Sequence, residues 1–485
     1  MAPHALPAED AQEATTTSTI PTTPATTKKA SPALLHRLIN APPPTAISAH
    51  GSTLTLSTGA TILDACGGAA VSILGHGHPE IIAAGCAQLS TLPYCHTGAY
   101  TTDAAESLAA ILIEDGKRFG LAKALFVGSG SEAMDAAMKL ARQFWYEVGD
   151  EGVRERKTRW VARKQGYHGV TLGAMGLSSN LPRKVPYAPL QIPGVSFVGP
   201  AYAYQYQRAG EDEEGYVARL RGELEEEFER LGGGKEVIAF VGEPVVGATS
   251  GCTPAPRGYW KMVREVCDAF DVLLILDEVM CGCGRTGTFF AFEQEGIVPD
   301  IVTLGKGLGA GYAPIAGVLI SERVLQGLMM GAGSFNHFQT YQLHPLTCAI
   351  ALEVQKVLRR NRLVERCNEM GKLLENDLYG ALAEAKYVGN IRGRGLLWGI
   401  EFVKDKSTKE PFDPKVEIGA RVQKKAFEMG VAIYPGVATI DGIKGDHVLL
   451  APPYTITKEE LRQAVDVTRM AVLAIESEID GDKPK

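Results

Sequence analysis

The sequence has no run of about 18 or more apolar residues, the length a helix needs to span a bilayer, so no membrane-crossing segment is expected. It also lacks a basic excess. The 49 Lys and Arg stand against 56 Asp and Glu, which gives a formal net charge of −7. Nucleic-acid binding calls for clustered cations and a basic balance, and neither is present. Cysteine is scarce and odd in number, nine in all. Cys281 and Cys283 form a lone C-x-C that no second Cys/His pair completes into a zinc site, so no metal is expected. Scattered thiols of this kind read as buried side chains in a reducing compartment. Arginine is missing before Arg37, where Glu9, Asp10 and Glu13 occur. A mitochondrial presequence would be Arg-rich and poor in acids, so the cytoplasm is the expected location.

What is present is an ordinary globular composition, 45% hydrophobic and 22% charged over 485 residues, with length for two or three domains. Residues 1–31 are rich in Thr, Ala and Pro, cannot bury a core and are expected to form a disordered tail. Gly51 to Asp64 alternates between two turn glycines and reads as a β-hairpin. From about residue 91 to residue 350, short apolar runs alternate with helical stretches. The runs include Ala124–Val127, Val237–Val241, Val272–Leu276 and Ile301–Leu304. Strands that are apolar throughout imply a mostly parallel sheet covered on both faces by helices. Val217, Leu220, Leu224, Phe228 and Leu231 mark one such helix, and the acidic run around Glu225 reads as its solvated face. After residue 350, long helices bracket strand-like segments at Ile391–Val403 and Val448–Leu450. The expected organisation is a large α/β domain at 91–350. A smaller α+β domain is expected from 32–90 together with 351–485.

Three segments carry chemistry. Gly128-Ser129-Gly130-Ser131-Glu132-Ala133 joins an apolar strand to a helix, and a glycine turn at a helix start suits a phosphate. Equally, it could be a tight turn capped by Ser129 or Ser131. Asp277 ends the run Leu273–Leu276, at the sheet edge where open α/β folds bind ligands, or it caps a loop there. Lys306 ends the run Ile301–Leu304 between Gly305 and Gly307. It reads either as a desolvated, nucleophilic amine or as a surface lysine in a turn. Together the three supply what pyridoxal 5′-phosphate needs: an anion site, an acid for the ring nitrogen and an amine for the aldehyde.

With these residues the sequence closely resembles the class III aminotransferases, enzymes of the fold type I pyridoxal-phosphate group. The likeness runs from about Gly51 to Leu473. It rests on Gly75-His76-Gly77-His78-Pro79, residues 128–133, Tyr167-His168-Gly169, Glu243-Pro244, residues 277–287, Gly305-Lys306-Gly307, Thr340–Pro345 and Ala451-Pro452-Pro453. The resemblance implies a mostly parallel seven-stranded sheet and transfer of an amino group between an amine donor and a keto acceptor. By the same likeness Lys306 would hold the cofactor as an internal aldimine and then move the proton at the substrate carbon. Asp277 would pair with the ring nitrogen. Gly130 and Ser131 would bind the phosphate, in a turn that includes Ser129. Tyr167 and Val279 would lie on the two faces of the ring. Glu243 would serve near the ring oxygen or in a salt bridge, and His168 would support its loop by hydrogen bonding. Thr340 would reach the site of the neighbouring subunit, which implies a homodimer.

Three departures bear on the substrate. Members acting on ornithine or 4-aminobutyrate hold a carboxylate with an Arg where this chain has Val170. They carry a gating Glu where it has Ala248, and an Arg paired with that gate where it has Leu449. An apolar side chain cannot replace an Arg fork. A bulky or apolar primary amine is therefore expected as one substrate, with a small amino or keto acid as the other. Lys444, in the Gly436–Gly445 loop, is a candidate cation for that acid, but a solvated surface lysine is the favoured reading of it. The same scaffold could instead run an aminomutase, epimerase or decarboxylase reaction, and a non-catalytic dimer is a further alternative.

Overall fold

Short apolar runs bounded by polar turns form the central sheet. The computed structural model describes residues 33–481. The expected tail, 1–31, lies outside the described residues. Seven strands build the sheet: β1 (Leu121–Val127), β2 (Arg159–Arg163), β3 (Val195–Val198), β4 (Val237–Gly242), β5 (Leu273–Asp277), β6 (Ile301–Leu304) and β7 (Ala316–Ser321). Their order is β1-β7-β6-β5-β4-β2-β3. Every pairing is parallel except those of β7 with β6 and β1, so β7 alone runs against the rest. The expected mostly parallel α/β sheet is present.

Alternation along a strand sends its side chains to opposite faces, and β5 shows the result. Leu273 and Ile275 join a core with Ala133, Met134 and Ala137 of helix α1 (Gly130–Val148). Leu274 and Leu276 join the core on the other face. There Leu220, Leu224 and Phe228 of α2 (Glu213–Arg230) meet Trp260 and Val263 of α3 (Tyr259–Ala269). Helix α2 begins where Asp212 accepts the Gly215 N–H at 2.7 Å, the side-chain cap such a start needs. Its acidic face is not wholly solvated, because Glu223 accepts the Gly199 N–H at 2.7 Å.

Two smaller sheets come from the flanking sequence. Val388–Arg394, Leu397–Phe402, Asp446–Leu450 and Tyr434–Val437 pair antiparallel. The hairpin of Thr53–Leu56 and Thr61–Asp64 is joined by Ala46–His50 on one side and Val431–Ala432 on the other. The N-terminal hairpin and the C-terminal third therefore share a sheet. Described residues before Ala46 make turns of their own, such as the Ala41 N–H to Leu38 C=O bond of 3.2 Å. From Ala46 onward the chain packs as one compact unit. We propose a division of that unit into residues 91–350 and the remainder.

Candidate active site

The carboxyl ends of β1, β5 and β6 deliver the three segments to one place. At the end of β1 the chain turns through Gly128 and Ser129, and the Ser129 side chain accepts the Glu132 N–H to cap α1. Gly130 opens that helix. A Cβ on it would stand 2.8 Å from Cγ1 of Val279, so the position has no room for a side chain. Asp277 is the last residue of β5 and is buried. Lys306 follows β6 with φ +41, a left-handed conformation that is costly for a residue with a Cβ.

A cavity of about 260 Å³ opens at this edge. Gly130, Ser131, Tyr167, Asp277, Val279 and Lys306 all line it. So do His168 and Glu243, and the two departure positions Ala248 and Leu449. Burial drives the Lys306 amine below the ordinary lysine range, against the pull of the nearby Glu243 and Asp277. An amine so placed is a nucleophile rather than a permanent cation.

The acids are held by separate partners. Asp277 Oδ2 lies 2.8 Å from Nδ1 of the buried His168, and its Oδ1 accepts the Val279 N–H at 3.0 Å. The Thr303 hydroxyl donates to the same Oδ1 at 3.3 Å. His168 thus orients the acid as well as its own loop, where its N–H donates to Ser178 at 2.8 Å. Glu243 accepts the Tyr167 N–H at 2.9 Å and the Gly247 N–H at 3.0 Å, bracing both loops. Neither Lys nor Arg among the described residues pairs with it, so the salt-bridge alternative is not what is found. Burial raises the Glu243 carboxyl. Ser131 Oγ accepts the Val170 N–H at 3.0 Å, and Gly169, at φ +133, leaves no room there for a Cβ.

Several expected residues stand elsewhere. Ser129 is an exposed helix cap outside the cavity. Thr340, expected at the site of a neighbouring subunit and not at this cavity, is exposed, and its carbonyl accepts the Tyr94 hydroxyl at 3.2 Å. Lys444 sits in an exposed turn, its N–H donated to Asp441 at 2.7 Å, and does not line the cavity. Val170 is also exposed, in a second pocket beside the first. Arg183, Met280, Tyr434 and Cys66 line the cavity without having been expected. No shared periodicity marks them, because they come from separate loops, a short helix (Leu181–Lys184) and the strand Tyr434–Val437, which only the fold brings together.

The site fits pyridoxal phosphate on its own geometry. A buried amine and a doubly braced acid face the same space. The start of α1, where Gly130 has no side chain, lies beside them, and Nε2 of His168 is buried without a partner among the described residues. The family model described as aminotransferase class-III matches residues 41–472. An aminotransferase of Schizosaccharomyces pombe is 46% identical over 451 residues, 93% of this chain and 97% of that one. A gamma aminobutyrate transaminase of Solanum lycopersicum is 34% identical, over 86% of this chain and 78% of its own. Among solved structures, the omega transaminase of Pseudomonas jessenii in complex with PMP superposes with a TM-score of 0.84 at 31% identity. That match covers 91% of this chain and 94% of the other. The chain belongs to the class III aminotransferase family and is a pyridoxal-phosphate-dependent transaminase.

Proposed function

We propose that this transaminase takes its amino group from a bulky or apolar primary amine and exchanges it with a small keto acid through Lys306. The observation that carries the reading is the cavity wall. Ala248 and Leu449 stand there where an acid and an arginine would hold a second carboxylate, and Met280 and Ala451 extend the apolar surface. A charged group of the donor lying against these four side chains would be desolvated with no partner among them. The relatives include a vanillin aminotransferase of Capsicum annuum, 34% identical, whose name records an aromatic substrate.

When bound, pyridoxal phosphate supplies an aldehyde for the amine and a ring that accepts electrons from the substrate carbon. The chain supplies the rest. Lys306, kept reactive by burial, is positioned to hold the aldehyde carbon and, once displaced, to take and return the proton at the substrate carbon. The Asp277 carboxylate, fixed by His168 and the Val279 N–H, serves the ring nitrogen. Backbone N–H groups at Gly130 and Ser131, with the dipole of α1, would hold the phosphate. Tyr167 and Val279, which line the same cavity, would confine the ring.

The same reading makes the protein a homodimer. Thr340 faces outward, beside exposed aromatic rings of Tyr94, Phe338 and Tyr341, a patch of the kind a partner covers. The test of the donor is a panel of amines with one keto acid, followed by cofactor absorbance. Apolar amines are expected to react fastest. Ornithine or 4-aminobutyrate as best donor by a wide margin would defeat the assignment.

A further inference from the structure

A small keto acid brings a carboxylate into a cavity whose fixed acids are Asp277 and Glu243. Only two Lys or Arg side chains among the described residues line that cavity, Lys306 and Arg183. Lys306 is committed to the carbonyl chemistry. Arg183 is committed to nothing acidic, since no Asp or Glu among the described residues pairs with it, although Lys184 beside it is already spent. The Lys184 ammonium donates to the Gly176 and Ser178 carbonyls at 3.2 and 2.6 Å.

The guanidinium of Arg183 lies over the ring of Tyr167, with its central carbon 4.6 Å from the ring centre. The Tyr167 hydroxyl is also a hydrogen-bond partner of this guanidinium, whose fork carries further N–H donors suited to a carboxylate. Arg183 is half-buried, so a carboxylate meeting it there exchanges less water than one bound at the open surface. It also borders the second pocket, which Val170 and Tyr187 line, so the cation stands where the two spaces join.

We propose that Arg183 binds the substrate carboxylate, the task that Val170 and Leu449 cannot perform and that Lys444 is too remote from the cavity to perform. Arg183 is a specificity-determining residue of this chain. The inference rests on the proposed acceptor, a small keto acid.

The test compares pyruvate with propanal as acceptor, using one fixed apolar donor and holoenzymes of the wild type, Arg183→Gln and Arg183→Lys. The expected result is a loss of about 10- to 100-fold in kcat/KM for pyruvate in Arg183→Gln, the size of a charge-assisted hydrogen-bonded pair. Propanal turnover should fall by much less, so that the pyruvate-to-propanal ratio of kcat/KM drops by about 10-fold or more. Arg183→Lys should fall between, because it keeps the charge and loses the fork. Titration of each holoenzyme with propanoate, read by cofactor absorbance, should show the same ranking without turnover. Equal losses with both acceptors, or none with either, would overturn the assignment. So would release of the cofactor from Arg183→Gln, which would give the residue to the phosphate. A wild type that does not prefer pyruvate to propanal defeats the acceptor reading, and this inference with it. A wild type with that preference, retained in Arg183→Gln, defeats this inference alone.

Discussion

His447 makes the sharpest quantitative prediction. It is fully buried, and its Nε2 lies 3.1 Å from the carbonyl of Ala248, on the cavity wall. Its Nδ1 lies 2.6 Å from the Thr439 hydroxyl. Burial, with the nearby Arg392 guanidinium adding repulsion, pushes its pKa down to about 3 from 6.5. The sign follows directly. Below pH 6.5 the unfolded chain takes up a proton at this ring while the folded chain does not, so acid favours unfolding. Linkage between those two values gives a loss of about 2 kcal/mol between pH 8 and pH 5, deepening until about pH 3. Other groups act oppositely: burial raises Glu278 to about 8 and Asp446 to about 6, and these lose stability as pH rises. The wild-type curve is therefore composite, and the informative quantity is its difference from His447→Gln. Urea unfolding of both proteins at pH 8 and pH 5 should show the wild type losing about 2 kcal/mol more than the variant. Equal losses would refute the reasoning.

Other consequences are as specific. Gly130→Ala sets a methyl 2.8 Å from Val279 and should cost about 1–3 kcal/mol as an overpacked contact, with weaker cofactor retention on dialysis. Adding Val279→Ala should restore much of the stability, and a double-mutant cycle showing no coupling would contradict that contact. Asp277→Asn removes the charge that His168 braces and should cut kcat by about 100- to 1,000-fold, the usual effect of losing one preorganised electrostatic partner. Retained turnover in a folded variant would place the ring nitrogen elsewhere.

Much of the site was legible because its residues end apolar runs. A lysine or aspartate closing four or five buried aliphatics is conspicuous, and strand topology then carries both to one edge. The hidden strands lacked that signature. β2 has Arg at both ends, β3 is only Val195–Val198, and β7 begins Ala-Gly. A Gly-Ser turn serves helix capping and anion binding with the same residues, and the Ser129 side chain is seen capping α1. Lys444, in the Gly436–Gly445 loop, reads first as a solvated surface lysine, and it is one: it is exposed, in a turn whose backbone Asp441 holds. Arg183 left no trace in the pattern. Its importance comes from lying on Tyr167 in space, which no period in the sequence encodes. His168 reads from its motif as loop support alone, because its bond to Asp277 joins a loop to a strand end far away in the chain.

The central claim is that Lys306 is the amine that holds the cofactor. Borohydride reduction of the purified holoenzyme, followed by proteolysis and mass spectrometry, fixes the cofactor to whichever amine carries it. The account predicts one modified peptide, labelled at Lys306, and no label in Lys306→Ala. A label on any other lysine, or a wild type that takes none, would contradict it.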